Sequence, residues 1–285
     1  MRRAFTLIEL LIVIGIIALL IGLLLPALAS ARRTARSAAG FANLRSLSMV
    51  MASYVDANKE EFLNPFRPSW PQLPQYTGMT WTKIQSSGDP TQQWDFAAPL
   101  CPPAHTEGFA GVWYSYLAEY RGGKRTDSEQ VSPADGDLVS ALRDGEKDQA
   151  TRDGAVLMPT SFYYSVAFWS RSDRFPGHCR EDMKPEYIHT ALLPSVTYPS
   201  AKVVLFERCD FASGRVPLSW CDQRAKTHIA LVDGSCETQD MADLYAAAQQ
   251  DATLIPTDTC CGGQSPIPPF FWATLNGIKG RDLHR

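Results

Sequence analysis

Glu9 is the residue whose chemistry most needs a partner. It stands inside an apolar run from Phe5 to Leu25, preceded by the basic leader Met1-Arg2-Arg3-Ala4 and ended by Pro26. As a helix rising about 1.5 Å per residue, that run spans roughly 31 Å, close to the hydrocarbon thickness of a bilayer. A carboxylate in such a span costs on the order of 2.5 to 3.5 kcal/mol on insertion scales, so something should compensate it. Hydrolysis of the Ala4–Phe5 peptide bond would create a cationic α-amine on Phe5, and that amine can pair with Glu9 of a neighbouring copy.

Ala4-Phe5-Thr6-Leu7-Ile8-Glu9 resembles the prepilin peptidase signature of type IV pilins and type II secretion pseudopilins. The resemblance implies cleavage between Ala4 and Phe5, methylation of the new Phe5 amine, and a role for Glu9 in guiding subunits into a helical filament. Pro26 falls where helices of this family carry a proline. Physically it removes a helix hydrogen bond and crowds the preceding turn, so a kink is expected there.

Further along, Asn43-Leu44-Arg45-Ser46-Leu47, followed by Tyr54, Asn58 and Phe62, is similar to the N-L-(K/R)-x-L…Y stretch of a large bacterial group of pseudopilin-like proteins with β-rich heads. In the same order come Cys101-Pro102, the aromatic run Ser161–Ser165, and Tyr198–Phe206, which resembles that group's "PSxxVLLF" strand. His228–Gly234 resembles the end of its H-x9-DG region, with a departure. The position ten residues before Asp233 is Gln223, and His228 is too close to take that place.

Two other readings of the N-terminus compete. In one, the first residues are a secretory signal peptide cut after Ala27-Leu28-Ala29, before Ser30. The apolar run exceeds the usual h-region of about 7 to 15 residues, and an acid near its start is unfavourable there. In the other, the run is an uncleaved anchor, which accounts for its length but not for Glu9.

The elements that must position these groups can be read from spacing. Leu44, Leu47, Met51, Tyr54 and Val55 follow three-and-four spacing, and residues 27–58 contain one glycine, Gly40, so one long helix is expected. Its alanine-rich first half carries Arg32, Arg33 and Arg36, a basic surface that could meet lipid headgroups. Strands are expected at Gly111–Tyr116, Ser161–Trp169, Lys202–Glu207 and His228–Val232, with Asp233-Gly234 as a hairpin turn. The expected fold class is α+β, pilin-like by resemblance: a long N-terminal helix, transmembrane then amphipathic, packed on an antiparallel sheet with loop insertions. The expected organisation is a leader at 1–4, a span at 5–28, an amphipathic helix at 29–58 and an extracytoplasmic head at 59–285. Within that head, the acidic stretch 126–154 is expected to be a solvated excursion.

Composition excludes several functions. The net charge is −3, and losing Arg2 and Arg3 with the leader leaves 25 basic against 30 acidic side chains, a net −5, which argues against a nucleic-acid surface. Seven cysteines all lie beyond the span, as expected of a head exported to an oxidising compartment, and the odd count leaves at least one unpaired. No CxxC pair occurs, and Asp135, Asp137 and Glu146 match only part of a calcium loop, so neither a metal nor another cofactor is expected. There is no GxSxG, HExxH or Walker loop; His105, His178, His189, His228 and His284 are scattered, and no catalytic residues are assigned. Trp70, Trp81, Trp94 and Trp113 look exposed enough to suggest a carbohydrate- or surface-binding head, although an aromatic core explains them equally. Ser265–Trp272 is too rich in proline for an interior strand and is expected to wrap the head or meet a neighbour.

Together with the resemblance, these features imply a structural, non-enzymatic subunit of a type II secretion filament. Its expected location is the bacterial inner membrane, single-pass, with the head in the periplasm. Its expected partners are prepilin peptidase, other pseudopilins reached through the N-terminal helix, and an inner-membrane assembly platform. The alternatives are a minor pilin of a type IV pilus and a membrane-anchored surface-binding protein.

Overall fold

The computed structural model describes residues 7–64, 113–122, 128–145, 160–172, 189–211, 213, 222–254, 270–271 and 274–284. Helix α1 (Leu7–Ala57) runs unbroken through Pro26. No glycine ends it. Instead the Asn58 side-chain amide donates to the Tyr54 carbonyl at 2.8 Å, and Lys59 and Glu60 take left-handed φ angles of 58° and 64° that turn the chain back toward the head.

Every described residue of α1 up to Arg36 is exposed, whereas Gly40, Leu44, Leu47, Met51, Tyr54 and Val55 are buried. The three-and-four spacing read from sequence is therefore the face that docks. Beyond α1 lie α2 (Gly136–Gly145), β1 (Phe162–Tyr164), β2 (Val203–Glu207), β3 (Lys226–Leu231), β4 (Cys236–Asp240) and α3 (Met241–Gln250). The strands form one sheet in sequence order, antiparallel throughout, so the chain is α+β with a long helix laid on a small sheet. Between β2 and β3 the register steps from Val203↔Leu231 to Leu205↔Ala230, leaving Val204 as a bulge.

Every residue of β1 and β2 is buried, which is why both read as continuous apolar runs rather than as alternation. Glu207 faces α1 near Gly40, while the next residue back, Phe206, meets the Phe271 ring at 5.7 Å. The β3–β4 turn bears out the Asp233-Gly234 expectation. Gly234 sits at φ 85°, and the Asp233 carboxylate accepts from the Ser235 backbone N–H at 2.9 Å.

Four expectations need correction. Trp113–Arg121 is a 3-10 helix, not the start of a strand. Trp113, Tyr114 and Leu117 are all buried, and a strand would send the adjacent Trp113 and Tyr114 to opposite faces. The indole of Trp113 donates to the Phe162 carbonyl at 2.8 Å, so this tryptophan is core rather than exposed surface. Trp70, Trp81 and Trp94 lie outside the described residues.

The strand expected over Ser161–Trp169 is cut short after Tyr164. There the Ser165 hydroxyl donates to the Phe271 carbonyl at 2.7 Å and the chain enters a 3-10 turn at Val166–Phe168. The acidic stretch is not wholly a solvated excursion either. Asp135 is buried, accepts from the Ser161 hydroxyl at 2.8 Å, pairs with Arg208 at 3.3 Å and caps α2 through the Leu138 N–H at 3.2 Å. Val131, Leu138 and Leu142 form a small satellite cluster beside it.

Residues 274–284 strap the start of β2. Asp282 accepts from the Val203 N–H at 2.9 Å and pairs with Lys202 at 3.2 Å, and the Lys202 ammonium also donates to the Thr274 hydroxyl. Lys202 is fully buried, and its pKa is lowered by that burial against the opposing pull of Asp282. Phe270 and Phe271, from the proline-rich tail, are buried in the main core, consistent with a segment that wraps the head.

Candidate functional site: the projecting helix and its junction with the head

The segment from Leu7 to Leu28 is apolar on all sides apart from Glu9 and is exposed along its whole length; Leu7 is 85 %, Leu19 65 % and Leu23 69 % exposed. A helix apolar all round is stable in water only when something covers it, and its length and composition suit either lipid or a bundle of like helices. Glu9 lies on this segment, in the first turns of α1. Ala4 and Phe5 lie outside the described residues. Pro26 lies within α1, where its ring leaves a carbonyl of the preceding turn without a helix donor.

The helix meets the head at Gly40. A Cβ built there would stand 2.8 Å from the Ser132 hydroxyl oxygen and 3.5 Å from a Glu207 carboxyl oxygen, so glycine is what permits the approach. One turn earlier, Ser37 Oγ lies 3.0 Å from His228 Nε2, and His228 Nδ1 lies 2.8 Å from Thr238 Oγ1 on the neighbouring strand. The Phe41 ring meets the imidazole edge-on at 5.3 Å. Eleven residues along α1 from Ser37, Ser48 Oγ and Cys236 Sγ stand 3.6 Å apart on the same sheet face.

Burial sets the electrostatics of this junction. It raises the Glu207 carboxyl to about 8, helped by the charges of Asp210 and Asp135 and opposed by the Ser132 hydroxyl. Burial also lowers the His228 imidazole, opposed by hydrogen bonding to Ser37 and by the charge of Asp210. Both groups are therefore mainly uncharged at neutral pH, although Glu207 Oε2 is 3.8 Å from His228 Nε2.

Ser37, His228 and Glu207 have the residue types of a hydrolytic triad but not its connectivity. A relay needs the carboxylate on the ring nitrogen opposite the nucleophile. Here Ser37 and Glu207 both approach Nε2, and Nδ1 meets a threonine.

Among the described residues no group of three or more His, Cys, Asp or Glu side chains is arranged to hold a metal ion. Asp135, a member of the partial calcium pattern, spends its oxygens on Ser161, Leu138 and Arg208, and Glu146 lies outside the described residues. Cys236 is a free, half-buried thiol, and burial pushes the Cys209 thiol up to about 11; the other five cysteines lie outside the described residues.

Residues 1–25 match the family model of the prokaryotic N-terminal methylation motif. The chain carries a prepilin-type N-terminus. This supports a type IV pilin-like protein, and the match falls on the leader and on the part of α1 that projects free of the head. No curated protein and no solved structure matches the chain. With a prepilin-type start, the naked apolar helix is the expected form of a subunit before its neighbours cover it.

Glu207 and Thr238 escaped the reading of the sequence. A signal for Glu207 was present: it is the one charged residue of β2, which is otherwise Val-Val-Leu-Phe, and a charge at the end of a strand buried on both faces must find polar company. Thr238 had none, because β4 is polar along its whole length.

Proposed function

We propose that the chain is a structural, non-enzymatic pseudopilin-like subunit. In this reading prepilin peptidase cuts between Ala4 and Phe5, the Phe5 amine is methylated, and the mature subunit assembles into a short filament of a type II secretion system. The N-terminal helix, bent or loosened at Pro26, anchors the subunit in the bacterial inner membrane with the head on the periplasmic side. On assembly, α1 packs against α1 of neighbouring copies and of other pseudopilins delivered by an inner-membrane assembly platform. Such head-to-tail contacts do not close on themselves, which is what a helical filament requires.

What carries the reading is one juxtaposition. The prepilin-type motif coincides with a helix segment that is apolar all round, holds the single carboxylate Glu9 and is exposed at every described residue. A hydrophobic anchor alone would not need Glu9 near its start; pairing with a neighbour's Phe5 amine gives that residue a task and offsets its insertion cost.

The test is N-terminal peptide mass analysis of the protein from membranes of its native host. A methylated start at Phe5 is the expected result, and a start at Ser30 would replace this reading with a secreted soluble protein. Deleting the gene then separates the secretion filament, where exported proteins are lost, from a minor pilin, where surface fibres change and secretion does not.

A further inference from the structure

The last exposed turns of α1 and the edge of the sheet enclose a cleft of about 470 Å³. Its α1 wall carries Ser30, Arg33, Thr34 and Ser37, and its sheet wall carries His228 and Thr238. The walls thus carry one guanidinium, four hydroxyls and an imidazole; the Thr34 hydroxyl donates to the Ser30 carbonyl at 3.2 Å and both ring nitrogens meet Ser37 and Thr238, which leaves Arg33, the Ser30 hydroxyl and whichever hydroxyl accepts the ring N–H to face a ligand. This is the donor set that binds phosphate oxygens, with arginine supplying a charged fork and hydroxyls completing the shell.

Its depth is the second observation. Leu28 ends the all-round apolar segment of α1, and Ser30 to Thr34 follow within about 3 to 9 Å along the axis at 1.5 Å per residue. The polar layer on each side of a bilayer is about 5 to 8 Å thick, so the cleft mouth opens at the level of the lipid phosphates.

Two acids, Glu207 and Asp210, stand near the cleft without lining it. Glu207, beside His228, is buried, and that burial raises its carboxyl to about 8. Asp210, whose charge reaches His228, is engaged by the backbone N–H groups of Ser213 and Lys226.

We propose that this cleft binds the phosphate of an anionic phospholipid headgroup in the leaflet on the head side of the membrane, seated on Arg33 and the hydroxyls of Ser30 and Thr238. A bound headgroup fixes how far α1 sinks and which way the head faces before assembly. The proposal rests on the membrane-spanning reading of α1 and needs neither cleavage at Phe5 nor a filament.

The experiment places the full chain in nanodiscs of phosphatidylcholine with a minority of phosphatidylglycerol and counts retained phosphatidylglycerol by native mass spectrometry. Wild type is expected to keep one phosphatidylglycerol, and Arg33→Gln to lower its occupancy about tenfold, the size of one lost charge-assisted contact. Arg32→Gln removes the same charge at nearly the same depth, about 100° round α1 and outside the cleft lining, and should leave occupancy unchanged. Thr238→Val, on the sheet wall, should weaken retention without changing charge.

Equal losses from Arg32→Gln and Arg33→Gln would mean diffuse surface attraction and overturn the site. Displacement of the lipid by inorganic phosphate at matched concentration would overturn the lipid as its ligand in favour of a free anion. Correct processing at Phe5 with no retained lipid would sink this proposal and leave the filament reading standing.

Discussion

Ser37 Oγ stands 3.0 Å from His228 Nε2, and this contact fastens the last free turn of α1 to the middle strand pair of the head. Above it, at Gly40, the helix comes within van der Waals range of Ser132 and Glu207. Below it, toward Leu7, every described residue of α1 up to Arg36 is exposed. The contact therefore marks the point at which α1 leaves the described part of the head. The behaviour of the junction follows from a few named groups.

Gly40→Leu should loosen the junction. The added side chain begins 2.8 Å from Ser132 Oγ, and overpacking of this kind costs about 1 to 3 kcal/mol, more than the roughly 1 kcal/mol that leaving glycine gains in helix propensity. Denaturation of the full chain in detergent should show a lower midpoint. Gly40→Ala should show a smaller loss, partly relieved by Ser132→Gly; a more stable Gly40→Leu variant would show that the approach is not tight.

Glu207 and His228 should make stability depend on pH in opposite senses. The folded Glu207 carboxyl titrates at about 8 against 4.5 when unfolded, so between these values the folded state holds the extra proton and stability drops as pH rises from about 4.5, levelling off above about 8. His228 is shifted down from 6.5, so the unfolded state binds the extra proton below that value and stability drops as pH falls. Glu207→Gln keeps the shape without the titration. It should flatten the alkaline limb between about 6.5 and 8 and steepen the acid limb below 6.5, where the Glu207 proton opposes the His228 effect, as read by chemical denaturation across pH 5 to 9. An unchanged alkaline limb would assign it to another group.

Lys202→Met should strand Asp282. Removing one partner of a buried pair costs about 3 to 5 kcal/mol, because the remaining charge is left unpaired, whereas replacing both partners by apolar groups is often close to neutral. The single variant should lower the unfolding midpoint and make residues 274–284, which strap β2 through Asp282, sensitive to protease. Lys202→Met combined with Asp282→Leu should recover much of the loss. A double variant as unstable as the single one would mean that the hydrogen bonds of Asp282 to the backbone matter more than the pair.

The docked half of α1 was legible because Leu44, Leu47, Met51 and Tyr54 repeat at helical spacing with polar residues between. β2 and β3 were legible as apolar runs. β4, Cys-Glu-Thr-Gln-Asp, was not: it is an edge strand at most half-buried, so hydrophobic alternation never specified it, and its pairing to β3 through the Asp233-Gly234 turn does. α3 carried an unread signal in Asp240, whose carboxylate accepts from the Ala242 N–H at 3.0 Å as an N-cap before Met241-Ala242-Asp243-Leu244. The Ser37–His228–Thr238 junction joins residues about 190 positions apart, and no local pattern encodes a contact made only after the sheet is laid on the helix.

Glu9→Ala tests the one charge on the free segment. Removing a carboxylate that costs on the order of 2.5 to 3.5 kcal/mol in a span should leave membrane insertion intact or improve it. Assembly should suffer, because the neighbour's Phe5 amine then enters the apolar bundle without a counter-charge, and an uncompensated charge among packed helices is several kcal/mol less favourable than a paired one. The measurement is a comparison of membrane-extracted protein with sheared or cross-linked filament material for wild type, Glu9→Ala and Glu9→Asp, with Asp expected to recover part of the assembly. Normal filament yield from Glu9→Ala would remove Glu9 from the mechanism and leave apolar packing of α1 as the sole drive.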